Sequence, residues 1–296
     1  MFERILVPLD GSKAAEIVIP YVEEITAKLG SKLILVSVSE SAVADTEHLY
    51  KAYLKGMAKQ VTSDLWEWGA RDAAQVEDKI LVGKPANAIL RRADRSNVGL
   101  LVIASRGSSG QGRPWLLGNI AAKVLRAAGK PVLLIRAPAK SQAVRQRRLV
   151  RKILVPLDGS ALGAAAIPYA EALAQALGAE LALFQVLELV DTTYLNESHT
   201  FYPNPPNEEN RKSSAISYLD EVGKPLKERG LSVSSAVAIG SPAEEIIDYA
   251  AGNAIDLIAM STHGRTGVGR WVFGSVTDKI LHAGNMAVLV VRPEKS

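Results

Sequence analysis

The segment ILVPLDGS occurs at 5–12 and again, unchanged, at 153–160. The correspondence continues along the chain. Ile19-Pro20-Tyr21 returns as Ile167-Pro168-Tyr169, and Gly30 returns as Gly178. VGKPA at 82–86 answers IGSPA at 239–243, and PVLLIR at 131–136 answers AVLVVR at 287–292. The chain is therefore a tandem duplication. Its period is far too long for a solenoid, whose units are 20 to 50 residues and cannot stand alone. Two domains in 296 residues is also what length alone suggests. The boundaries read as 1–138 for the first domain, 139–150 for a basic linker and 151–296 for the second. The seam APAKSQAVRQRRLVR holds Lys140, Arg145, Arg147, Arg148 and Arg151 and no acid, and reads as a solvated connector. With a net charge of only +4, a nucleic-acid partner is not expected.

Each copy alternates short apolar runs with helical stretches. Strands are expected at 4–9, 32–38, 75–82, 99–104 and 131–136, and again at 152–157, 180–187, 232–239, 256–260 and 287–292. Their richness in Val, Ile and Leu is that of strands buried on both faces. Helices are expected near 13–29, 46–69, 86–96 and 117–128, and near 161–177, 207–229, 243–252 and 275–283. Pro85 and Pro242 stand where a first helical residue tolerates a missing N–H. This alternation gives two α/β domains, each a doubly wound, five-stranded parallel sheet with helices on both faces. Such sheets bind ligands at the carboxyl ends of the strands, where strand order reverses.

One loop stands out at that end of the second sheet. MSTHGRTGVGRWVFGSVT, 260–277, sets Gly264, Gly267, Gly269 and Gly274 between a buried strand and a helix. Glycine is entropically costly to order, so this density implies close approach to the backbone or a long mobile loop. A helix starting at Ser275 offers unpaired N–H groups and a partial positive charge, hydroxyls at Ser275 and Thr277 add donors, and Arg265 and Arg270 add charge: an anion site. Asp158, at the end of the first strand, enters the same crevice. It reads either as an acceptor for a ribose hydroxyl or a carboxylate near a phosphate-bound cation, or as an N-cap for the helix near Ser160.

The elements ILVPLDGS, GSPAEEI and STHGRTG…GSVT resemble the universal stress protein family, in two copies over almost the whole chain. The resemblance implies a Rossmann-like fold of the adenine nucleotide alpha hydrolase type and, for the ATP-binding branch, a loop of Gly, two residues, Gly, nine residues, then Gly-Ser or Gly-Thr. Ser261-Thr262-His263-Gly264, nine residues, then Gly274-Ser275 matches all but the first glycine. The resemblance places Asp158, Pro156 and Leu157 against the adenosine, Val186 on the base through its backbone, and Met260 beside the base. Ser261, His263, Gly264, Gly274, Ser275, Val276 and Thr277 wrap the phosphates. The implied cofactor is ATP, or ADP or AMP, with magnesium reaching Asp158 only through the nucleotide. His263 reads also as a structural hydrogen-bonder. The five-strand order of the family puts the last strands, 132–136 and 288–292, at or near sheet edges, and an apolar edge invites pairing. The resemblance therefore implies that the two copies pair as an internal pseudo-dimer, with a further homodimer of the whole chain open.

The first copy departs from that pattern. From Gly107 there are ten residues, not nine, before Gly118, and Asn119 stands where the second copy has Ser275. Asp10 and Val38 are retained. A one-residue slip is expected to carry backbone N–H groups out of hydrogen-bond range. Asp10, Val38, Gly107, Gly118 and Asn119 thus form a weaker second site.

A catalytic function finds little support. No GxxxxGK[ST], GxSxG or HExxH occurs, there is no cysteine, and Asp158 lacks a second acid at a useful spacing. The expectation is a nucleotide-binding stress-response regulator without catalytic residues and with at most weak ATP hydrolysis. A non-binding assembly scaffold and a slow ATPase or adenylyl-transferring enzyme are the alternatives. No run of 18 apolar residues or signal peptide appears, which sets the cytoplasm as the expected location and no membrane as a partner. The insertion over 187–210, with Tyr194, Phe201 and Tyr202, reads either as a lid on a bound base or as interdomain packing.

Overall fold

The computed structural model describes residues 1–40, 44–70, 75–107, 117–136, 148–189, 207–263, 273–283 and 286–293. The first copy runs β1(Arg4–Pro8), α1(Lys13–Glu16), α2(Ile19–Leu29), β2(Lys32–Ser39), α3(Ala44–Glu67), β3(Val76–Val82), α4(Pro85–Arg95), β4(Leu100–Ala104), α5(Asn119–Ala127) and β5(Val132–Ile135). The second repeats this as β6(Lys152–Leu157), α6(Ala161–Ala164), α7(Ile167–Leu177), β7(Glu180–Leu187), α8(Glu208–Glu228), β8(Val233–Ile239), α9(Pro242–Gly252), β9(Leu257–Ser261), α10(Ser275–Ala283) and β10(Ala287–Val291).

Two expected helices, 13–29 and 161–177, are each split in two. Pro20 and Pro168 sit in the first turn of α2 and α7, where a proline starts a helix but cannot continue one. Strand positions agree with the sequence reading to within a residue or two. Burial on both faces fails for β3 and β8, whose residues are at best half-buried, because these strands form the two open edges of the sheet.

The ten strands form one sheet in the order β3-β2-β1-β4-β5-β10-β9-β6-β7-β8. Pairing is parallel within each copy and antiparallel where β5 meets β10, in the register Val288↔Leu134, Leu289↔Leu133 and Val290↔Val132. The internal pseudo-dimer is therefore a continuous sheet with the two last strands at its centre. Strand alternation sends side chains to two faces. One face carries α2, α3, α7 and α8 over a core that includes Ile5, Leu133, Ile153 and Leu289; the other carries α4, α5, α9 and α10 over Leu6, Leu134, Leu154 and Val288. Both cores cross the seam. The end of the connector is docked, since Glu24 on α2 accepts from the Leu149 N–H at 2.9 Å.

The copies differ in the surroundings of one glutamate. Glu171 on α7 is ion-paired with Arg229. At the matching place on α2, Glu23 is buried and hydrogen-bonded to Asp64 on α3. Burial, and then the Asp64 charge, push the Glu23 carboxyl up to about 8. A carboxyl whose pKa is raised on folding stabilises the fold fully below its unfolded value, and that contribution is lost as pH rises through about 8. Glu23→Gln is thus expected to gain up to about 4 kcal/mol over wild type at pH 9 relative to pH 5. Urea unfolding at both pH values checks this; parallel pH slopes for the two proteins refute it.

Candidate functional site

Strand order reverses between β1 and β4 and between β6 and β9, so each copy has a crevice at those carboxyl ends. The Asp-Gly-Ser turns line it. Gly159 has a φ of 82°, a left-handed conformation that glycine adopts without strain. This folds Ser160 back, so that Asp158 Oδ1 accepts from the Ser160 N–H at 3.0 Å and from its hydroxyl at 2.7 Å. Asp10 Oδ1 holds Ser12 identically, at 3.0 and 2.6 Å. The N-cap is the serine: the Ser160 hydroxyl accepts from the Gly163 N–H at 3.0 Å. Asp158 is one step removed from the cap role that the sequence offered it, orienting the residue that caps. In the first copy Asp10 also lies against Gly107, where a Cβ would stand 2.2 Å from Oδ2. The glycine there permits contact between the end of β1 and the loop after β4.

The helix start across the crevice is anchored by a relay. The Gly274 N–H donates to the Thr262 carbonyl at 2.9 Å, and the Thr262 N–H donates to the Val291 carbonyl at 2.8 Å. The Thr277 hydroxyl is buried and donates to the Ser261 carbonyl at 3.0 Å. Ser261 Oγ accepts from the His263 N–H at 3.3 Å, and His263 Nδ1 lies 2.8 Å from Thr262 Oγ1. The Thr277 side chain thus ties the helix to the Ser261 carbonyl, the Ser261 hydroxyl holds the turn that follows the strand, and what Thr277 presents at the helix start is its backbone N–H. Ser275 is exposed and Val276 half-buried there.

Met260 and Val186 turn to the face of the sheet that carries α9 and α10. Leu157 turns to the opposite face, packed under α7, so its side chain does not join them and only its backbone borders the crevice. Pro156, half-buried, precedes it on β6. Val38 matches Val186 in the first copy. Gly264 lies outside the described residues, as do Arg265, Arg270, Tyr194, Phe201 and Tyr202.

The first copy anchors its helix start in the same way. The Gly118 N–H donates to the Ser105 carbonyl at 2.8 Å, and the Ser105 N–H to the Ile135 carbonyl at 2.7 Å. This is the same relay, with Ser105 in the place of Thr262. The extra residue leaves the helix start anchored as it is in the second copy. Asn119 is exposed at that start, and α5 has no acid in its first turn, whereas α10 has Asp278. Thr262 and Ser105, whose backbones make the relay, are the residues the sequence reading missed.

The universal stress protein family profile matches residues 1–136 and again 150–292. The chain belongs to the universal stress protein family. Some relatives match one copy, and others align across both, as does a universal stress protein of Mycobacterium bovis that is 25% identical over 228 residues, 76% of this chain and 71% of that protein. A universal stress protein of Methanocaldococcus jannaschii is 27% identical over 160 residues, which is 50% of this chain and 98% of that protein. The universal stress protein YxiE of Bacillus subtilis is 30% identical over 148 residues, 49% of this chain and 100% of that protein. A universal stress protein from Archaeoglobus fulgidus shares the whole tandem fold, with a TM-score of 0.70 over 99% of both chains at 20% identity. Among the described residues, no helix is long and apolar enough to cross a membrane, and no three His, Asp or Glu side chains cluster to hold a metal.

Proposed function

We propose that this universal stress protein is an adenine-nucleotide-binding regulator. Its principal site is the crevice of the second domain, it binds ATP in preference to acting on it, and it has little or no catalytic activity. The observation that carries this reading is the anchored start of α10. Gly274 is fixed by its N–H on Thr262 O, so the first-turn N–H groups of Ser275, Val276 and Thr277 stand at the end of the Gly-rich loop with no intrahelical acceptor. The resemblance of Ser261–Ser275 to the ATP-binding branch supports the same ligand. The base lies toward Val186 and Met260, the ribose toward Asp158, and the phosphates at Gly264, Gly274 and Ser275. Magnesium enters with the nucleotide, near Asp158. A bound nucleotide regulates by preferring one conformational or assembly state.

The equal anchoring of Gly118 and Gly274 favours a second reading, in which both crevices are filled. One experiment decides between them. Protein purified without added nucleotide is denatured and filtered, and the released small molecules are counted by mass spectrometry against protein. About one equivalent of ATP or ADP supports the second-domain site alone, and about two supports both. An empty extract, followed by no heat on titration with ATP and magnesium, overturns the reading and leaves a scaffold.

A further inference from the structure

The anchoring relays do not end at Val291 and Ile135. The next residue in each case is an arginine, and each arginine crosses the seam. Arg292 Nη2 donates to the Arg126 carbonyl at 2.5 Å, in the last turn of α5. Arg136 Nη2 donates to the Leu281 carbonyl, in the last turn of α10. The antiparallel seam makes this possible, because it sets the carboxyl end of β5 beside the amino end of β10, where α10 finishes. Each helix that opens a crevice in one domain is therefore closed at its far end by a guanidinium from the other.

We infer that Arg136 is a positioning residue for the nucleotide crevice of the second domain, and Arg292 for that of the first, so that each site is complete only with the opposite domain in place. The inference rests on the nucleotide reading above. A last-turn carbonyl has no intrahelical donor, and a cation at a helix carboxyl end and an anion at its amino end both stabilise the same aligned dipoles. Fixing one end of a nine-residue helix restrains the other, where the N–H groups must point at a phosphate without further ordering. Arg136 is 8% exposed, and its Nε has no hydrogen-bond partner among the described residues. The Arg106 charge lies close enough that, after burial, it is the second cause lowering the guanidinium to about 10. A buried arginine facing a like charge is an unfavourable choice for packing alone. The carbonyl end of α10 is what offsets it.

Peptide-resolved amide hydrogen exchange on the full chain tests this, without ligand and at increasing ATP with magnesium. Without ligand, Arg136→Met speeds exchange in α10 and leaves α5 unchanged, while Arg292→Met does the reverse. With ATP, the concentration that half-protects the first turn of α10 rises about fivefold to tenfold in Arg136→Met. It stays at the wild-type value in Arg292→Met and returns most of the way in Arg136→Lys, which keeps the charge. Faster exchange in the helix of the substituted residue's own domain, in both helices equally or in neither overturns the inference. So does an ATP midpoint that moves alike in both variants. The crossed pattern with no ATP protection in wild type overturns the nucleotide reading, and with it the role of the arginines in binding.

Discussion

Replacing Leu289 by alanine is expected to destabilise both halves of the chain together, by about 3 kcal/mol. Leu289 is fully buried at the centre of the sheet, paired with Leu133 across the antiparallel seam and with Ala259 on the parallel side. Its side chain belongs to a core that runs from Phe2 in the first domain to Val291 in the second. The truncation removes packed methyl groups, and the flanking strands cannot collapse into the gap, because their register is fixed on both sides. If the two copies were domains joined by a tether, the loss would fall on the second alone. Calorimetry would then show two transitions, one of them displaced. A continuous sheet with shared cores predicts one transition, shifted as a whole by several degrees. Two separable transitions, with only one moved by Leu289→Ala, would refute the shared core.

The duplication made most of this fold legible. Ten apolar runs with strand character were found within a residue or two, because buried parallel strands are written as near-continuous Val, Ile and Leu. The edge strands β3 and β8 were placed too, but not their exposure, since strand order across a sheet is a long-range property. Which face a residue takes was also beyond reach near strand ends: Leu157 lies beside Asp158 in sequence and on the far side of the sheet from Met260 in space. The hydroxyls of Ser275 and Thr277 read alike from the sequence as phosphate donors, yet Thr277 is turned inward onto a strand carbonyl. Backbone relays such as Gly274 to Thr262 to Val291 leave no mark in residue type. The arginines after VLLI and VLVV were visible as a repeat, but the seam that gives them a partner exists only once the strands pair.

Removing the carboxylate of Asp158 is expected to weaken ATP binding by about tenfold to a hundredfold while unfolding the protein little more readily. Two losses combine in Asp158→Ala. The Asp-Gly-Ser turn loses the acceptor that holds the Ser160 N–H and hydroxyl at 3.0 and 2.7 Å, which costs about 1 kcal/mol and loosens the end of β6. The nucleotide loses its partner for a ribose hydroxyl or its magnesium, worth about 1 to 2 kcal/mol more. Asp158→Asn separates the two, because an amide oxygen keeps the turn and gives up the charge. Calorimetric titration with ATP, with and without magnesium, reads the difference. If the charge serves the metal, Asn binds ATP nearly as wild type without magnesium and gains little when it is added. Asp10→Ala, the same change in the first copy, leaves the second-domain affinity where it was. If Asp158→Ala binds ATP as tightly as wild type, the aspartate has only the turn to hold, and the ribose must find its acceptor elsewhere in the crevice.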